Sequence, residues 1–73
     1  LGVGRTDLLA LNLLENAPLA AGEIGERLGL TSGSVTALID RLVRAGHVTR
    51  NHPTEDRRRV IVALTPASHA ALA

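Results

Sequence analysis

The chain has 73 residues and a formal net charge of +1, and it contains no cysteine, methionine, phenylalanine, tyrosine or tryptophan. That length allows one small domain, whose core must be built from aliphatic side chains. The missing cysteine excludes disulfides, thiol redox sensing and Cys-based metal sites in this segment, and the missing aromatics argue against single-stranded nucleic acid, where bases stack on aromatic rings.

Charge is unevenly placed. Residues 1–40 hold two arginines against five acids, and residues 41–73 hold six arginines against two acids. A small domain polarised in this way steers one face towards polyanions. Every basic residue is arginine, which suits bidentate bonding to phosphates and guanine edges better than lysine does. No apolar run approaches the roughly 18 residues of a membrane span, and no signal peptide pattern is present. No membrane partner is expected, and the lack of cysteine fits a reducing compartment, so the expected location is cytoplasmic. The chain begins at Leu1 rather than methionine and is expected to be a piece of a longer protein.

Residues 1–5 read as a lead-in. Thr6 and Asp7 look like a cap followed by an acid in the first turn of a helix, both favourable at a helix start. Leu8, Leu9, Leu11, Leu13 and Leu14 make this helix apolar on most sides, so it is expected either to be well buried or to use a second side against something outside this chain. Pro18 stops it at or before Ala17, with Asn16 as the expected last residue. The lone Leu19 predicts a very short strand. A second helix is expected from Ala21 to Leu28, with Ile24 and Leu28 on one face. Gly25 within it costs about 1 kcal/mol against alanine, and the expected compensation is close approach of a neighbouring helix.

The stretch 31–46 is the best defined. Val35, Leu38, Ile39, Leu42 and Val43 recur at helical spacing and predict one apolar stripe. Thr31 is the expected N-cap and Gly46 the expected terminator. The opposite face carries Gly33, Ser34, Thr36, Ala37, Asp40, Arg41 and Arg44: small and hydroxylated first, basic later. It reads as a DNA-reading face, with an ordinary polar surface as the plain alternative. Two helices joined by a short turn containing glycine form a helix-turn-helix, and Ile24, Gly25, Leu28, Gly29, Leu30, Val35 and Leu38 fit its pattern of apolar, small and glycine positions.

Residues 47–50 alternate as a strand does, 51–58 form a polar loop containing Pro53, and the β-branched run 60–64 predicts a second strand. Together they make a hairpin with an Arg-rich tip. Thr65 and Pro66 are a cap and a first helical residue, opening a helix over 66–73. The expected fold class is α+β, mostly α: a single winged helix-turn-helix over 1–73, with the helix-turn-helix at 21–45, the wing at 47–64 and a three-helix core.

This order of elements resembles the DNA-binding domain of the MarR family of bacterial transcription regulators. The resemblance rests on residues 29–36, on Asp40-Arg41-Leu42, on Arg44-Ala45-Gly46, on residues 53–59 and on Leu64-Thr65-Pro66. It covers most of the chain from Leu8 to Pro66. Ala20 departs from it, standing where the family often has a threonine capping the second helix. The family's long dimerisation helices are absent here.

The resemblance implies that Ser32, Ser34, Thr36, Ala37 and Arg41 enter the major groove of double-stranded DNA, with Arg41 bonding a guanine edge. It implies that Arg58 enters the minor groove, oriented by Asp56, and that Arg44, Arg50, Arg57 and Arg59 contact phosphates. It further implies a homodimer formed through helices outside this chain and a small-molecule effector that changes the spacing of the two reading heads. A plain solvated surface charge is the alternative for each arginine, and a turn cap for Asp56.

His47, His52 and Asp56 lie near one another in sequence, but no second pair stands at metal-ligand spacing. No metal and no cofactor are expected. Ser32 and Ser34 lack a His–Asp partner pattern, so no enzyme activity is expected. The rival reading is a winged helix used for protein–protein interaction, supported by the leucine-rich first helix.

Overall fold

Each helix turns one apolar side inward, and the three sides meet in a core with no aromatic ring. A computed structural model of the chain describes residues 4–52 and 59–68. Helix α1 spans Arg5–Leu14, strand β1 Leu19–Ala20, helix α2 Ala21–Leu28, helix α3 Ser32–Arg44, strand β2 Val48–Asn51 and strand β3 Ile61–Leu64. Ala10, Leu11 and Leu14 of α1, Ile24 of α2, and Val35, Leu38, Ile39 and Leu42 of α3 form the core with Val48 and Val62. This is a winged helix-turn-helix, as the sequence predicts.

Helix α1 begins one residue before the predicted Thr6 cap. Gly4 is its N-cap and makes no side-chain bond, and its carbonyl accepts the Leu8 N–H at 3.0 Å. Asp7 falls in the first turn as predicted. The helix closes at Leu14, before Asn16, with the Glu15 N–H donating to the Asn12 carbonyl at 3.3 Å. Leu8 and Leu9 are each 47% exposed, so α1 does present a second apolar side. No helix among the described residues is long and apolar enough to cross a membrane.

Strand β1 is as short as Leu19 implied. The sheet order is β1-β3-β2, all antiparallel, with Leu19 opposite Val62 and Arg50 also opposite Val62. Strands β2 and β3 sit within a residue of their predicted positions. Because Asn51 pairs with Ile61, it belongs to the strand rather than to the predicted loop. Ala20 gives α2 no side-chain cap. The N–H of Ala21, which has no partner within its helix, is satisfied instead by the Val60 carbonyl at 2.9 Å, a partner 39 residues away that no local reading of a helix start would supply.

The two helix ends of the reading unit use left-handed glycines. Gly29 has φ 68° and Gly46 has φ 80°. At the end of α3, the Gly46 N–H donates to Val43 and the His47 N–H to Leu42, at 3.0 and 2.9 Å, which satisfies carbonyls that a helix end leaves open. Residues 66–68 are helical. Thr65 caps them, its hydroxyl accepting the Ser68 N–H at 3.2 Å and donating to the Gly46 carbonyl at 2.9 Å. The rest of the predicted final helix, 69–73, lies outside the described residues.

Candidate nucleic-acid interface

Helix α3 is placed by its own start and by the helix before it. The Thr31 hydroxyl accepts the Ser34 N–H at 3.2 Å, which satisfies one open donor of the first turn. Gly25 is buried in α2, where an added Cβ would lie 2.9 Å from Val35 Cγ2. The close approach expected for this glycine is therefore present, and α3 is the helix that makes it. Leu30 fills the turn between the two helices and packs against the core.

With that placement, α3 buries Val35, Leu38, Ile39 and Leu42 and turns Ser32, Gly33, Ser34, Thr36, Ala37, Arg41 and Arg44 to the surface. Val43, expected in the apolar stripe, is 38% exposed at its edge. The six predicted site residues on this helix thus share one exposed side. Its first turns are small and hydroxyl-bearing, and its last turn carries Arg41 and Arg44.

Two arginines have intramolecular partners that the sequence did not reveal. Arg41 Nη2 donates to Asp7 Oδ1 at 2.9 Å. The Asp7 side chain is 7% exposed and that of Arg41 56%. The bond to Asp7, and then its charge, push the guanidinium pKa further up from its already high value. Arg41 was expected to reach a guanine edge, but one end of its guanidinium is held by α1. Arg50, expected on phosphate, donates to Asp40, which ties the wing's first strand to α3. The pairings join residues 34 and 10 apart in sequence, and an acid in the first turn of a helix reads locally as nothing more than a complement to the helix dipole.

Arg59 is exposed just before β3. Asp56, Arg57 and Arg58 lie outside the described residues. His47 Nδ1 is 3.0 Å from Ser68 Oγ, so this histidine joins the end of α3 to the following helical turn.

Residues 1–59 match the sequence profile of the MarR family. The chain is 49% identical over 69 residues to YcgE, an uncharacterized HTH-type transcriptional regulator of Bacillus subtilis, covering 93% of this chain and 45% of that protein. It is 45% identical over 58 residues to TtmR, an HTH-type transcriptional regulator of Methylorubrum extorquens, covering 80% of this chain and 30% of that one. Among solved structures, the transcriptional regulator BldR of Sulfolobus solfataricus superposes with a TM-score of 0.89 at 29% identity, covering 99% of this chain and 52% of that one. Overoxidized AbfR bound to DNA superposes with a TM-score of 0.90 at 29% identity, covering 97% and 53%. The chain spans about half the length, or less, of these relatives.

Proposed function

Because the chain belongs to the MarR family, we propose that it is the sequence-specific, double-stranded DNA-binding domain of a transcription regulator. In this reading α3 enters the major groove with Ser32, Ser34, Thr36 and Ala37 at its leading turns. Arg44 and Arg59 contact phosphates, and Arg41 adds charge at the edge of the reading face while Asp7 holds one end of it. Arg57 and Arg58 at the wing contact the backbone and the minor groove, with Asp56 orienting Arg58. The full-length protein acts as a homodimer on paired half-sites, through helices outside this chain, and a small molecule changes the spacing of its two heads.

The observation that carries the reading is the exposed side of α3. Its leading turns carry no bulky side chain, so a base edge can come close to the helix. A relative that superposes with a TM-score of 0.90 was solved bound to DNA. The exposed Leu8 and Leu9 favour apolar docking on α1, and here they serve the contact with the rest of the regulator. A salt titration of duplex binding tests the proposal in the full-length protein. Affinity should fall linearly on a log–log plot, with a slope near −0.9 for each phosphate neutralised. Binding indifferent to salt, or no binding to any duplex, would leave the protein-interaction reading in its place.

A further inference from the structure

Resting on that DNA-reading role, we infer that α3 recognises thymine through its 5-methyl group, with Thr36 and Ala37 as the specificity-determining residues. The polar means of reading a base are scarce on this face. Residues 31–46 contain no asparagine, glutamine or lysine, so the amide fork that pairs with adenine is missing. Arg41 sits towards the far end of the helix with one Nη held by Asp7.

Thr36 is exposed, yet its hydroxyl already donates to the Ser32 carbonyl at 3.0 Å. A hydroxyl has one proton, so none remains for an acceptor on a base. The Thr31 hydroxyl is spent in the same way, donating to Ser34 Oγ at 3.0 Å. Ala37 follows with no polar side-chain atom. Thr36 also borders a shallow groove of about 270 Å³, lined by Leu30 and Val35 on its apolar side and by Ser32 and Glu26 on its polar one. One turn before Ala37, nothing lies within 4 Å of the position a Cβ would take at Gly33, which leaves the helix backbone open to a base edge. In the major groove the thymine methyl is the apolar group that such a face complements. Ser32 and Ser34 then serve the flanking phosphates.

The test uses the full-length protein and a duplex selected by it from a randomised library. Each thymine of the selected half-site is replaced in turn by deoxyuridine, which removes the methyl and leaves every hydrogen-bonding group in place. Binding should weaken about four-fold at one or two positions per half-site, the effect of losing one buried methyl. At such a position, Thr36→Ser or Ala37→Gly should remove the penalty, because the contact is already gone. Thr36→Val, which keeps a methyl and loses the hydroxyl, should retain the preference for thymine. Equal binding of thymine and uracil duplexes at every position overturns the inference, as does a deoxyuridine penalty that survives in both variants. So does Thr36→Val losing a preference that Thr36→Ser keeps, since the remaining lone pairs of the hydroxyl would then be the reader. If the library yields no enriched sequence, the DNA-reading proposal itself falls, and this inference falls with it.

Discussion

Asp7 Oδ1 accepts a hydrogen bond from Arg41 Nη2 at 2.9 Å, across 34 residues of sequence. The two ends of this pair are unequal, because the carboxylate is nearly enclosed and the guanidinium is more than half exposed. An exposed guanidinium that loses its partner is solvated by water, whereas an enclosed carboxylate left alone is not. Arg41→Ala should therefore destabilise the fold more than Asp7→Asn does. In the Asp7→Asn background, Arg41→Ala should cost less than it does alone. Denaturant melts of the two single variants and the double variant check this. Additive losses would mean that the pair contributes no coupling.

The contact between Gly25 and Val35 makes the two glycines of α2 respond oppositely. Gly25→Leu should overpack the space in front of Val35 and cost about 1–3 kcal/mol. Gly22 has nothing within 4 Å of its would-be Cβ. Gly22→Ala should be neutral or stabilise by up to about 1 kcal/mol through helix propensity. Thermal or urea melts decide both, and a Gly25→Leu variant as stable as the parent would contradict the observed geometry.

Thr31 is a conventional cap with a measurable effect. Thr31→Ala removes the acceptor for the Ser34 N–H and should lower stability by about 1 kcal/mol, while Thr31→Asp, which restores an acceptor, should recover most of it. Urea unfolding curves of both variants provide the comparison. Equal stability of Thr31→Ala and the parent would show that water replaces the cap without loss.

Among these caps and core positions, much was legible in the sequence. Apolar spacing identified the buried residues Val35, Leu38, Ile39 and Leu42, glycine chemistry identified the ends at Gly29 and Gly46, and even the lone Leu19 pointed to a strand. What was not legible is non-local. Ala20 offers no cap, and nothing near it in sequence shows that the Val60 carbonyl serves Ala21. Asp7 and Asp40 look like solvated acids until folding brings Arg41 and Arg50 to them. The start of α1 differs from the local signal for another reason: Gly4 caps through its backbone alone, so the side chain of Thr6 does not mark the helix start.

At the wing, the expected roles of Arg58 and Asp56 predict two graded effects in the full-length protein. Arg58→Ala should weaken binding evenly across duplex sequences and reduce the magnitude of the salt slope by about one per head. Asp56→Ala should give a smaller loss of the same kind, since it frees the guanidinium without removing it. Titrations at two salt concentrations against several duplexes measure both. Parental affinity of Arg58→Ala at both salts would remove the wing from the interface.

The pairing of Leu19 and Ala20 with Val62 and Ile61 also closes a long loop. The two strands that close the reading unit are separated by the whole of α2, α3 and β2, so a loop of about 40 residues must form before β1 gains its ladder, at an entropic cost that grows only slowly with length. During synthesis, α2 and α3 leave the ribosome before the strand that satisfies Ala21 and supplies Val62, the fully enclosed side chain of the sheet. A nascent chain that ends short of Val60 therefore lacks a finished sheet and a closed core. Among the described strands β3 is made last, and it acts as a latch, because both the β1 ladder and the partner of the Ala21 N–H come with it.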